Sequence, residues 1–235
     1  MEQGMNTTRR SLFTGTLTAA GLAVAGCVTK AHAALVERVR DWDPQALERI
    51  AGRPATHKLV FDCTTVKEGT FLNNIKNALN GFQFGFGVDP GAVHLVGALH
   101  GAANLLSFDD SMWAKYPLGD LYAVKDPATG GPAQRNIFLA RTADANDRDP
   151  DSERGIFQDK SIQGLQARGV DFLTCHTATE EQARAIAQKL ALKAPPGEIA
   201  QDLLAHRVPG AFVVPAMVTV VALLQQKGFS YVSLA

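Results

Sequence analysis

Five short apolar runs, each followed or preceded by an amphipathic stretch, constrain this chain more than any other feature. They are H-K-L-V-F-D-C (57–63), A-V-H-L-V-G-A-L (92–99), G-V-D-F-L-T-C-H-T (169–177), A-F-V-V (211–214) and F-S-Y-V-S-L (229–234). Most are close to continuously apolar rather than alternating, the pattern of strands covered on both faces. Helical periods separate them. In 68–79, Phe71, Leu72, Ile75 and Leu79 share one side, and Asn80-Gly81 closes the helix. Further helices are expected over 102–116, 161–168 and 179–190, and from Pro215 through Gln226, closed by Lys227-Gly228. Thr179 with Gln182 reads as a capping box, and Glu180 and Glu181 suit the positive end of that helix. Strands alternating with helices predict a three-layer α/β/α fold around a mostly parallel sheet of about five strands.

Other segments fit this alternation less well. Phe82, Phe84 and Phe86, spaced by Gln83 and Gly85, read as a strand or extended loop, and N-I-F-L-A-R (136–141) as an added edge strand. Within an insert at about 107–160, residues 117–160 are dense in Pro, Gly and Asp, and seven of the eleven residues 144–154 are charged. A loop of that length inside a domain predicts a lid or an oligomer contact. Ahead of the first strand, 34–51 is amphipathic through Leu35, Val39, Trp42, Leu47 and Ile50, restarting at Asp43 as cap and Pro44 in the first turn. It is expected to be an arm (34–56) packed on the domain or on a neighbouring subunit.

Residues 1–33 read as an address. Thr7-Thr8-Arg9-Arg10-Ser11-Leu12-Phe13 is a twin-arginine pattern, an apolar run follows to Val28, and Ala31-His32-Ala33 offers a small-x-small cleavage site. Val24-Ala25-Gly26-Cys27 also matches a lipobox, which would anchor the chain through a lipidated Cys27. Both readings send the protein out of the cytoplasm, by default to the periplasm, through the twin-arginine export machinery. The mature domain is then 57–235, preceded by the arm. Residues 34–235 keep 20 basic and 22 acidic side chains of the 23 of each in the whole chain, a balance of −2 with no basic patch. A nucleic-acid role is excluded on that ground. No Ser-His-Asp order, dinucleotide fingerprint or phosphate loop is present, and no motif calls for a cofactor.

Four segments carry a family resemblance: L-V-F-D-C-T-T-V-K-E-G-T-F-L-N-N-I-K-N-A-L-N, V-H-L-V-G-A-L-H-G-A-A, G-V-D-F-L-T-C-H-T, and D-L-L-A-H-R-V-P-G-A-F-V-V-P-A-M-V-T-V-V-A-L-L-Q-Q-K-G-F-S-Y-V. In this order they resemble the DsrE/DsrF-like family. They match its opening strand and Leu-Asn-Asn helix, its second strand ending in His-Gly, its strand with a terminal cysteine, and its Val-Pro strand with closing helix and Tyr-containing strand. The resemblance spans 57–106 and 161–235 and does not extend to the insert. It implies an α/β/α domain that assembles as a trimer or hexamer. It also implies, as in some members, relay of sulfur as a cysteine persulfide between donor and acceptor proteins.

The residues themselves point to the carboxyl ends of the strands, where open α/β sheets place their chemistry. Cys175 is the candidate persulfide carrier, beside a helix start and His176, both of which favour a thiolate. Packing in the core, and a disulfide with Cys63, stand as alternative readings of the same residue. Cys63, ending the first strand, is the candidate resolving thiol; in an oxidising compartment a lone reactive thiol needs a reducing partner. His100-Gly101, ending the second strand, are candidate binding residues. Cys175, His176 and His100 lack the close ligand spacing of a metal site, and no metal is expected.

Overall fold

The computed structural model describes residues 42–234. Its centre is a five-stranded, all-parallel sheet in the order β4-β3-β2-β1-β5, with β1 His57–Cys63, β2 Val93–Leu99, β3 Asp171–Cys175, β4 Ala211–Val214 and β5 Ser230–Leu234. The central strand β2 is buried at every position, which accounts for its unbroken apolar run. Helices flank both faces, so the architecture is the expected three-layer α/β/α.

Side-chain alternation along the strands divides the interior into two cores. On one face Phe61, Cys63, Leu95, Leu99 and Phe172 pack with Phe71, Leu72 and Ile75 of α2 (Thr70–Asn80) and with Ile162 and Leu165 of α5 (Ile162–Ala167). On the other face Val60, Val96, Ala98, Leu173 and Cys175 pack with two helices. These are α1 (Pro44–Gly52), through Leu47, Ile50 and Ala51, and α8 (Met217–Gln226), through Met217, Val220, Val221 and Leu224. A third core lies beside the sheet. There Leu105, Trp113 and Leu118, carried by the chain after β2 including α3 (Asp110–Lys115) and α4 (Leu118–Leu121), meet α6 (His176–Lys189) and α7 (Pro196–Ala205).

The described part of the amino-terminal arm belongs to this body. Asp43 caps α1 by accepting the Gln45 N–H at 2.9 Å, with Pro44 opening the helix. Past its end Arg53 donates to Gly169 O at 3.1 Å and to Asp171 Oδ2 at 3.4 Å, tying the arm to the start of β3. The same Asp171 oxygen meets Nε2 of the fully buried His94 at 2.8 Å. The leader, and the arm before residue 42, lie outside the described residues.

Several local expectations are corrected. Phe82–Phe86 is no strand: Gly81–Gly85 continues α2 as a π turn, closed by Phe86 N–H to Gly81 O at 3.0 Å, which leaves Phe84 and Phe86 exposed. Residues 136–141 form turns instead of an edge strand. Asn136 is buried there, its Nδ2 donating to the carbonyls of Leu106 and Phe108 at 3.0 and 2.8 Å. The expected helix over 102–116 is broken into a 3₁₀ segment, Gly101–Ser107, an extended Phe108 and α3, which Asp109 caps. Helix α7 has no counterpart among the helices expected from the sequence; Pro196 occupies its first turn, where a missing N–H costs nothing.

The charged stretch of the insert folds on itself. Asp144 N–H donates to Arg154 O at 2.8 Å and Ile156 N–H to Asp147 O at 3.0 Å. Asp144, Asp147 and Asp149 each accept a backbone N–H two residues on. Gln158 then links this turn to the domain, donating from Nε2 to Pro150 O at 2.8 Å and accepting from Lys76 Nζ at 2.9 Å.

Candidate functional site

Cys175 ends β3 and is itself the N-cap of α6, its Sγ accepting the Ala178 N–H at 3.4 Å. The helix therefore starts earlier than the expected capping box. Thr179 and Gln182 lie within it, turned inward and buried. What they hold is the cysteine backbone. Asn104, fully buried on the 3₁₀ segment, accepts the Cys175 N–H at 2.9 Å and donates to Thr179 Oγ1 and Gln182 Oε1, each at 2.9 Å. Thr179 Oγ1 donates back to Cys175 O at 2.9 Å, and Gln182 Nε2 to Gly101 O at 2.9 Å. Networks satisfied to this degree fix geometry, since each bond lost leaves a buried group unpaired. The thiol stands at the positive end of a 14-residue helix, where negative charge is stabilised. Only 4% of the residue is exposed.

His100 continues β2 in extended conformation, one step past the last β2–β3 pair, Leu99 with Thr174. By the same step Cys175 follows Thr174, so extending the ladder by one residue sets His100 opposite Cys175 on adjacent strands, whose spacing is about 4.8 Å. Both are two residues beyond members of the α1/α8 face, Ala98 and Leu173, and so share that face. Asp62, paired with Ala98, and Tyr231, paired with Val60, lie on it too. Here the side chains connect: His100 Nε2 meets Asp62 Oδ1 at 2.5 Å, and Tyr231 Oη donates to Asp62 Oδ2 at 2.7 Å. A carboxylate only accepts, so Nε2 carries the hydrogen, and in the neutral imidazole Nδ1 holds the lone pair. The bond to Asp62 raises the Tyr231 phenol above its ordinary pKa, keeping it a donor. Four strands thus present one diagonal on this face, from Cys175 and His100 at the carboxyl edge back through Asp62, level with Ala98, to Tyr231, level with Val60.

The remaining sequence candidates fall elsewhere. Cys63 is fully buried on the opposite face, its Sγ donating to Phe61 O at 3.4 Å. Burial, and then the neighbouring Asp62 charge, push its thiol well above the ordinary value. Strand β2 separates it from β3, so the two cysteine backbones are about 9.6 Å apart by strand spacing and their side chains diverge. A disulfide needs Cα atoms within about 7 Å. Both thiols are free, and within one chain Cys63 is neither disulfide partner nor resolving thiol for Cys175. His176 opens α6 with Nδ1 3.9 Å from Glu180 Oε1. Among the described residues no group of three or more His, Cys, Asp or Glu side chains gathers as a metal site would require. None of the described helices is long and apolar enough to cross a membrane.

Gly101 serves the site through its backbone. Its φ is +54°, and a Cβ there would sit 2.9 Å from Thr64 O, so only glycine lets the chain leave β2 this close to β1. Gly101→Ala is expected to lower stability by about 2 kcal/mol, read as a shift in the denaturant midpoint with unchanged slope.

Asp62, Tyr231 and Asn104 are the residues the sequence analysis missed. Asp62 carries a usable signal, a charge near the carboxyl end of an otherwise apolar strand. Tyr231 carries none, because its position beside Asp62 follows from β5 returning to pair with β1. Compared with models of known families, with curated proteins and with solved structures, the chain finds no match in any of the three.

Proposed function

We propose that this protein is an exported sulfur carrier of the DsrE-like kind, holding a sulfane sulfur as a persulfide on Cys175. The observation that carries the reading is the seat of the thiol: strand end, helix cap and polar network all converge on one cysteine. A negative sulfur there gains from the α6 N-terminus and from the Ala178 N–H. The twin-arginine pattern and the four family-like segments support the same reading, with passage through the periplasm, or a lipid anchor at Cys27, and with donor and acceptor proteins as partners. Because the thiol is nearly buried, loading requires the α6 cap to loosen and is slower than at an exposed cysteine.

The test is mass spectrometry of the Cys175 peptide after incubation with a sulfane-sulfur donor, wild type against Cys175→Ser. Gain of one sulfur in the wild type alone is the expected result. No gain in either protein ends the reading.

A second reading, an oligomeric binding or accessory module, is favoured by one surface. Phe86 is 83% exposed and Phe84 45%, beside Phe157, over whose ring the Arg168 guanidinium lies at 5.3 Å. Exposed aromatics next to a cation are typical contact anchors. Phe86→Ser is expected to change stability by less than about 0.5 kcal/mol while weakening self-association in sedimentation equilibrium. Identical sedimentation of both proteins removes this surface from the assembly, whether trimer or hexamer.

A further inference from the structure

We infer that His100, held by Asp62 and Tyr231, is the proton acceptor for Cys175, and that the donor is therefore an organic hydropersulfide rather than a sulfur oxyanion. The inference rests on the carrier reading and adds the identity of the base and of the substrate class.

The row Tyr231–Asp62–His100–Cys175 has the order of an oriented base beside a nucleophile. Asp62 accepts on both oxygens, at 2.5 Å from His100 Nε2 and 2.7 Å from Tyr231 Oη, and this fixes the imidazole tautomer. Tyr231 is 44% exposed and the His100 and Asp62 side chains 19% and 17%, so the group is most open to solvent at Tyr231 while the thiol is nearly enclosed.

Transfer balances without an oxidant. Cys175 Sγ–H gives its proton to His100 Nδ1, and Sγ attacks the outer sulfur of R–S–S–H. The donor S–S bond breaks, a Cys175 S–S bond forms, and the electron pair leaves on R–S⁻, which takes the proton from His100. The products are Cys175–S–S–H and R–S–H. A basic thiolate leaving group needs that returned proton. Sulfite leaving from thiosulfate does not.

The experiment measures the rate of sulfur gain at Cys175, by mass spectrometry, with glutathione hydropersulfide and separately with thiosulfate. The proteins are wild type, His100→Ala with and without added imidazole, Asp62→Asn and Cys175→Ser, each checked for folding by circular dichroism. Expected are faster loading from the hydropersulfide, a loss of about a hundredfold in His100→Ala, recovery with imidazole, and an intermediate loss in Asp62→Asn. Imidazole rescue separates a base from a merely structural histidine. Loading of folded His100→Ala at the wild-type rate, or faster loading from thiosulfate, overturns the inference and leaves the carrier reading standing. If His100→Ala does not fold, Asp62→Asn and the donor comparison decide. If wild type gains sulfur from neither donor, the carrier reading falls and this inference with it. Iodoacetamide alkylation of Cys175 that slows about as much in His100→Ala would then show a base serving some other thiol chemistry.

Discussion

Asn104→Ala is expected to destabilise the protein by about 2–6 kcal/mol and to loosen the seat of Cys175 at the same time. The side chain is fully buried and makes three hydrogen bonds, to the Cys175 N–H, Thr179 Oγ1 and Gln182 Oε1. Alanine keeps none of them. Thr179 retains its bond to Cys175 O, but the Cys175 N–H and Gln182 Oε1 are left buried without partners, and each such orphan costs about 1–3 kcal/mol. The check is chemical denaturation combined with hydrogen exchange at the Cys175 amide. The amide should exchange faster than the loss of global stability alone explains. Equal protection in the variant would mean that the network does not hold the cysteine.

The second large effect concerns the chain between β2 and β3. Trp113→Ala is expected to cost about 3–5 kcal/mol, because the indole is fully buried and donates from Nε1 to Leu105 O at 3.2 Å. Its cluster joins residues of the insert to Ala183 and Ile186 of α6 and to Ile199, Ala200 and Leu203 of α7. The loss should therefore spread into α6, the helix that Cys175 caps, and appear as reduced amide protection there. A variant that lost only local protection in α3 would show the insert to be an independent appendage.

The residues that fold locally were legible from periodicity and punctuation. β1, β2 and β4 follow from their apolar runs, α1 from Asp43-Pro44, and α8 from its Lys227-Gly228 close. Segments with competing signals were not. Three phenylalanines at alternate positions have strand periodicity, yet Gly81–Gly85 continues α2 as a π turn that packs Phe82 on the core and leaves Phe84 and Phe86 exposed. Thr179 and Gln182 have the spacing of a capping box, but a buried Asn104 across the fold offers them better partners than the helix end does. The candidate site divides in the same way. Cys175 and His100 could be picked out because strand ends are visible in the sequence. Asp62 and Tyr231 join them only through strand order, which places β5 beside β1, and no local pattern encodes that choice. Strand order also separates Cys63 from Cys175, which their similar positions at strand ends conceal.

The central claim is that Cys175 carries sulfur while Cys63 is a spectator. It is tested most directly on protein recovered from its native host and trapped at once with an alkylator that preserves persulfides. The account predicts that a fraction of the Cys175 peptide holds one additional sulfur and that Cys63 is an unmodified thiol throughout. A linkage between Cys63 and Cys175, or sulfur on Cys63 with none on Cys175, would contradict it.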